Sequence, residues 1–466
     1  MGGHLKFLVT FSTLAALPVA GACAQTSGQV PRRPVTAAQR PPVAPVQQPP
    51  VAATQPPPAE AVQAPPVVLP PPLWDPRDAQ QLLYVIQQIR AEGLDPADYD
   101  PAGLIAALRS GNPLLLAQAA TDRFNLLSSD IAFGHVRGDD RQDWHIPDAD
   151  LDPTKQAQLL LVALSQHRVA DALRGLLPSH PQYAALRHAL EITPSTETAK
   201  INRIRLNMDR WRWLPRDLGD RYIIVNVPAY TAALVENGTT TSRHRAVAGA
   251  IKTPTPQLQA TATGVIFNPW WEVPKSIEKE VRGKRGYVPV RSTDAKTIIR
   301  WRQPPGPSNA LGRVKFVMPN PKAIYLHDTN ARGLFDTKSR AYSHGCIRTE
   351  HVLALATKLL NEGNLDVASP APPGPGTAPD AAPATVGGVA WTPDKIQQAL
   401  DSRKAVQANF PKPLPVYIVY MSSAALVDGR IIDYTDIYKR DGKVIAALLD
   451  QPVPAGKAAE KSVVSR

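Results

Sequence analysis

The chain has 466 residues, 43% hydrophobic and 20% charged, enough apolar material for two or three domains of ordinary size. Its 49 prolines are about twice the usual share, so part of the chain is a segment that does not pack. A net charge of +12 without Lys/Arg blocks, and with only 6% aromatics, argues against a nucleic-acid binder, and two cysteines, Cys23 and Cys346, exclude a disulfide-stapled fold.

At the N-terminus, Lys6 precedes an apolar run from Phe7 to Val19 that Pro18 breaks near small residues. The run is too short to span a bilayer, and residues 1–24 read as a secretory signal peptide. Cleavage at Ala22-Cys23-Ala24 discards Cys23, whereas retention and acylation of Cys23 would make a lipoprotein. Residues 25–72, with Pro56-Pro57-Pro58 and Pro70-Pro71-Pro72, read as a disordered polyproline-II tether.

Helical signals begin at Asp75-Pro76, where a capping side chain precedes proline, and recur at Asp95-Pro96, Asp100-Pro101, Asn112-Pro113 and Asp152-Pro153. Leu82, Val85, Ile86 and Ile89 fall at helical spacing, as do Leu104, Ala107 and Leu108, then Leu115, Ala119 and Leu126. Residues 73–198 are therefore expected to be a helical scaffold domain. From 199 to 445 a β-rich domain is expected, with strands at Tyr222–Val227, Thr231–Val235, Ala262–Phe267, Ala323–His327 and Pro415–Tyr420, and turns at Asn237-Gly238 and Asp428-Gly429. One helix interrupts it, with Val352, Leu355, Ala356 and Leu359 on one face. A Pro/Ala-rich stretch over about 367–389 reads as a disordered insertion, and 446–466 as a disordered tail. The fold class is α+β.

Chemically able residues are densest at Ser343-His344-Gly345-Cys346-Ile347-Arg348, with His327 upstream at the end of an expected strand. A thiol nucleophile needs a base or cation nearby and N–H groups for the oxyanion. Cys346 falls just before the expected helix, whose dipole would favour a thiolate. Gly345 opens the backbone beside the sulfur, and Arg348 suits a carboxylate. Two other readings compete. Cys346 as a small buried hydrophobe leaves its neighbours unexplained. A zinc site from His327, His344, Cys346 and His351 lacks the paired cysteines that structural zinc sites use. His135, His145, His167, His180, His188 and His244 show no partner spacing and read as surface or satisfied core groups. Trp211 and Trp213 alternate at strand period, which suggests packing.

The run SHGCIR, with an upstream strand ending in Tyr325-Leu326-His327-Asp328-Thr329, resembles the catalytic signature of the L,D-transpeptidases of peptidoglycan. The similarity is to the large Gram-negative subgroup. It extends to Asn207–Trp213, Asn268-Pro269-Trp270-Trp271, Met318-Pro319-Asn320-Pro321, Val416-Tyr417 and Asp436-Ile437-Tyr438. The resemblance implies a β-rich sandwich with a helix after the nucleophile and no cofactor or metal. It implies Cys346 as nucleophile, His327 as general acid/base oriented by the backbone at Asp328, and His344 and Gly345 at the oxyanion site. Tyr325, Ser343, Arg348, Trp270 and Trp271 would contact substrate under a cap over about 270–317. The implied partners are a donor tetrapeptide, an acceptor diaminopimelate amine and carbapenem-type β-lactams, and the implied location is the periplasm, with membrane attachment only if Cys23 is lipidated. The expected activity is formation of diaminopimelate–diaminopimelate crosslinks with release of D-Ala. An L,D-carboxypeptidase giving the same thioester to water, or a catalytically silent wall-binding protein, are the alternatives.

Overall fold

The computed structural model describes residues 70–148, 150–361, 391–426 and 428–449. The signal peptide with Cys23, the tether up to residue 69, the 367–389 insertion and the tail beyond 449 lie outside the described residues.

Five Asp/Asn-Pro pairs start helices as the sequence implies. Asp75 accepts from Arg77 N (2.7 Å) and opens α1, Pro76–Gln88. Asp95 caps a single 3₁₀ turn over Pro96–Tyr99. Asp100 accepts from Gly103 N (3.0 Å) at α2, Pro101–Arg109, and Asn112 from Leu114 N (2.9 Å) at α3, Pro113–Phe133. After a two-residue strand, β1 (Trp144–His145), Asp152 caps α4, Pro153–Ser165, which leads to α5, Val169–Arg174. His180 performs the same service for α6, Pro181–Ile192, through its Nδ1. The Leu82/Val85/Ile86/Ile89 face is buried as expected. In α3 the buried row is one residue out of phase with the expected one: Leu116, Ala120, Phe124, Leu127 and Ile131 are buried, whereas Leu115 and Leu126 are 57% and 41% exposed. Two apolar rows run along this helix, and packing selects the one holding Phe124.

The strand-rich part does not begin at residue 199. A helix, α7 (Thr198–Arg212), comes first, and Trp211 belongs to it, with Trp213 at its C-cap. Strand alternation is thus the wrong reading of the two tryptophans. The last turns of α7 are buried on every side, which erases the amphipathic period that marks a surface helix.

Strands follow at β2 (Arg221–Asn226), β3 (Thr231–Glu236), β4 (Thr239–Gly249) and β5 (Gln257–Phe267). Asn237 and Gly238, both at positive φ, make the tight β3–β4 turn. The chain then leaves this sheet for a small lobe: β6 (Trp271–Glu272), a short α8 (Glu278–Val281), β7 (Val288–Arg291) and β8 (Ile298–Gln303). The lobe has its own three-stranded sheet and a core of Val273, Ile277, Val281 and Trp301. It occupies the stretch expected to form the cap, and is called so below, but it ends earlier than residue 317, because β9 (Val314–Val317) is back in the main sheet. The excursion leaves from Phe267 and returns at Val314, and these two residues are directly paired.

Strand β10 is only Leu326–His327, shorter than the expected Ala323–His327, since Ala323 adopts φ +52°. Then come β11 (Ala341–Ser343), β12 (Ile347–Thr349), α9 (Val352–Asn361), α10 (Pro393–Asp401) and a long β13 (Val406–Val419). The chain ends with β14 (Ser423–Ala425), β15 (Ile431–Asp433), joined across the Asp428-Gly429 turn, and α11 (Asp441–Leu449). Leu448 is buried, so the folded part runs past the expected limit at 445.

Among the described residues the main sheet has the order β1-β5-β13-β2-β3-β4-β12-β10-β9, with β11 beside β4, and a β5–β9 pairing closes the path. Helix α9 packs its Val352/Leu355/Ala356/Leu359 face into the enclosed core. The two-residue β1 crosses from the helical part to pair with Gln257 and Leu258 at the sheet edge. Helical and strand-rich parts belong to one compact unit. Their junction is polar and buried. Asp209, in the last turn of α7, accepts from His135 N (2.6 Å), Val136 N (3.2 Å) and Trp213 Nε1 (3.0 Å) and pairs with Arg212 at 3.5 Å.

Candidate active site

Sheet register brings the site together. Strands β10 and β12 run parallel with His327 opposite Arg348 and Leu326 opposite Ile347, and Ile347 N donates to Tyr325 O at 3.0 Å. Side chains two apart on a strand share a face, so Tyr325, His327, Cys346 and Arg348 project from the same side. On the other flank, antiparallel β9 places Lys315 directly opposite His327. Diagonal neighbours in such a sheet lie about 7–8 Å apart, within reach of side chains of this size.

His327 is almost fully buried, and its Nδ1–H donates to the Asp328 carbonyl at 2.5 Å, as the sequence implied. That bond leaves the lone pair on the other ring nitrogen. Burial, reinforced by the Arg348 and Lys315 charges, pushes the imidazole down to about 3, so the ring is neutral at ordinary pH. The Asp328 carboxylate is itself held by Arg313 N (2.9 Å) and Arg332 Nη2 (3.1 Å), directly over Gly312. At φ +62°, and with the carboxylate 2.5 Å from where a Cβ would stand, position 312 accepts only glycine.

Cys346 is half-buried, and its Sγ–H reaches the Ala323 carbonyl at 3.6 Å. It does not sit at a helix N-terminus: β12 intervenes, and α9 starts only at Val352. The expected dipole effect is absent. Burial pushes the thiol up instead, opposed by the Tyr325 N–H, the Lys315 charge and the Tyr325 hydroxyl. Burial pushes the Tyr325 hydroxyl well up, and Trp271 of the cap is close enough to oppose that shift, so the cap reaches the thiol's own neighbour. Trp270 is stacked under Arg302 at 4.2 Å, within the cap.

The Ser343–Cys346 loop is braced from inside. Ser343, 3% exposed, accepts from Gly345 N (3.1 Å) and donates to Cys346 O (2.5 Å), and Thr255 Oγ1 holds Gly345 O at 2.8 Å. Two expectations change. Ser343 faces the loop and not the substrate groove, and the Gly345 N–H is already taken, which leaves the neighbouring main-chain N–H groups for an oxyanion. Gly345 itself has φ +113°, a left-handed region that a side chain resists. Ser343→Ala is therefore expected to loosen the loop and lower kcat/KM by roughly tenfold without abolishing turnover, the usual scale for one buried hydrogen-bonding group. Steady-state kinetics on the variant checks this.

His344 points outward, with its Nε2 3.8 Å from Glu280 of the cap, and His351 lies beside Glu350. The four residues considered for zinc thus diverge, and among the described residues no three His, Cys, Asp or Glu side chains gather around a common point. Arg348 makes no hydrogen bond or ion pair among the described residues, and its Nε is buried without a partner. The histidines read as bland do find ordinary partners: His135 with Asp130, His145 with Asp143, His167 with Asp78, His188 with Glu191, His244 with Ser242, and His180 stacked on Trp211 at 4.0 Å. Lys315 is the site residue the sequence reading missed. Its alternation with buried Val314 and Phe316 marks an outward face, but only the β9–β10 register says which face.

Residues 220–385 match the L,D-transpeptidase (YkuD) catalytic domain, and residues 70–190 match the Scaffold domain. The chain thus carries an L,D-transpeptidase catalytic domain preceded by a Scaffold domain. A putative L,D-transpeptidase of Haemophilus influenzae is 28% identical over 314 residues, which cover 62% of this chain and 58% of that protein. The chain thus matches somewhat over half the length of that relative. Among solved structures, an L,D-transpeptidase from Mycobacterium smegmatis aligns with 43% of this chain and 58% of its own at 12% identity and a TM-score of 0.20. L,D-transpeptidase 3 from Mycobacterium tuberculosis, in complex with a faropenem-derived adduct, aligns with 28% and 52% at 13% identity and a TM-score of 0.18. Within the L,D-transpeptidase catalytic match lie every residue of the Lys315–His327–Cys346 face and the whole cap.

Proposed function

We propose that this chain is a peptidoglycan L,D-transpeptidase that joins two diaminopimelate residues through a thioester on Cys346. The observation that carries the reading is the single sheet face on which a half-buried thiol, a neutral and oriented imidazole and an unpaired guanidinium stand side by side. With the thiol pushed up and the imidazole pushed down, both are neutral at rest, so His327 acts as a general base during attack and not as half of a preformed ion pair. The Cys346 proton passes to His327 while sulfur bonds to the carbonyl carbon at the L-centre of the donor diaminopimelate. The adduct collapses, the C–N bond to D-Ala breaks, and His327 returns the proton to the departing amine. An acceptor diaminopimelate amine then attacks the thioester, gives a proton to His327, and the thiol leaves reprotonated. Arg348, lacking an internal partner, is suited to a substrate carboxylate. Trp271, through Tyr325, couples the cap to the thiol. The proposal carries export with it, because the wall lies beyond the membrane, in keeping with the N-terminal signal-peptide pattern.

The deciding experiment is incubation of the protein with purified tetrapeptide muropeptides and mass analysis of the products. Crosslinked dimers with one D-Ala lost per bond are expected, whereas tripeptides alone would mean that water takes the thioester. A thiol of this kind should also be acylated once by a carbapenem, seen as a single mass increase on intact protein that Cys346→Ala eliminates. Absence of any adduct would count against an accessible nucleophile.

A further inference from the structure

His327 is neutral at rest, so no preformed imidazolium meets the charge that sulfur gains as its proton starts to leave, and a second cation nearby eases that transfer. The groups around Cys346 are few: Tyr325 just before β10 and His327 within it, Arg348 from the adjoining β12, His344 from the loop and Lys315 from β9, with Glu272 of the cap acting on Lys315 and Tyr325. Glu272 is engaged by Arg300 at 3.0 Å, and His344 turns toward Glu280. Both remaining cations act on His327, but of the two only Lys315 is coupled to the sulfur. Its ammonium lies 4.1 Å from the centroid of the Tyr325 ring, whose hydroxyl faces the sulfur, and it makes no hydrogen bond or ion pair among the described residues.

We propose that Lys315 is the positioning cation of this site, held over Tyr325 by its ring and kept out of any direct ion pair, so that its charge offsets the one developing on Cys346. The stacked ring fixes the ammonium where a free lysine would swing into solvent, and cation–π attraction is strongest when such a group is desolvated. The electrostatic benefit is largest in a covered, low-dielectric setting, which the cap provides here. Some exposed lysines on this chain pair directly with carboxylates, as Lys200 does with Glu197 and Lys443 with Asp140. Lys315 differs in being half-buried and unpaired beside the thiol.

The inference rests on Cys346 being the nucleophile, and its test does not require turnover. The full chain, Lys315→Met and Lys315→Arg are each alkylated with iodoacetamide, a neutral reagent, across a range of pH, and modification of Cys346 is followed by intact mass. Met keeps the apolar stem and removes the charge. The rate–pH curve of Lys315→Met is expected to move up by about one pH unit, with roughly tenfold slower alkylation at neutral pH, while Lys315→Arg stays within about threefold of the unmodified protein. Superimposable curves for the Met variant and the unmodified protein overturn the proposal. So does an equal loss in the Arg variant, which would mark a packing role. If the unmodified protein alkylates with this charge dependence yet forms no dimeric muropeptides, the functional reading fails and the role of Lys315 stands.

Discussion

Cys346→Ala is expected to abolish formation of crosslinked muropeptides while leaving the fold unchanged, since a half-buried side chain loses one sulfur and the loop keeps its Ser343 and Thr255 braces. His327→Ala should fall nearly as far, on the order of 10²–10⁴-fold in kcat, because the two groups act as a unit and removing either disables the transfer. The double variant should be little worse than either single one. Product analysis with purified tetrapeptide checks the series, and dimer formation by the Cys346→Ala protein would remove the thiol from the mechanism. The pH dependence has a definite sign. An imidazole held at about 3 stays unprotonated through the neutral range, so the free-enzyme rate should not fall between pH 7 and pH 5 on its account. The rate should climb on the alkaline side as the raised thiol ionises.

The second large effect is on stability. Asp209→Ala removes the acceptor of two main-chain N–H groups and of the Trp213 indole, and leaves the fully buried Arg212 without its carboxylate. Breaking a buried pair from one side typically costs about 3–5 kcal/mol. The chain should therefore unfold at markedly lower denaturant than the unmodified protein, with Asp209→Asn intermediate because one acceptor oxygen survives. Chemical denaturation followed by tryptophan fluorescence is suited to this, as Trp213 stands 3.0 Å from the altered group and 5.3 Å from Trp144. A midpoint shift no larger than that of a surface substitution would mean that the junction is held by its apolar contacts alone.

Local chemistry was readable in the sequence wherever one or two neighbours decide the outcome. An Asp or Asn before Pro caps a helix whatever lies around it, and Asn237-Gly238 turns a hairpin by its own torsions. SHGC with an upstream His picks out, without coordinates, the two residues that neighbouring strands set on one face. What the sequence hides is whatever depends on a distant partner. In α3 two apolar rows compete, and only the packing of Phe124 chooses between them. In α7 burial on all sides replaces the helical stripe with alternating tryptophans, so the pattern imitates a strand. Strand β1 is two residues long and carries no signal of its own; it exists because Gln257 and Leu258 offer an open edge. Lys315 is hidden for the same reason, since its neighbours in space are paired through register and not through spacing.

The pairing of Phe267 with Val314 has a consequence for how this architecture changes over evolutionary time. A polypeptide detour whose exit and return are already bonded side by side can be lengthened at small entropic cost, since loop closure depends only weakly on length. Residues between those two points can be gained, lost or exchanged while Lys315, one residue beyond Val314, keeps its place opposite His327. The lobe is thus a replaceable module beside a fixed sheet face, and selection for a different ligand can act on it first.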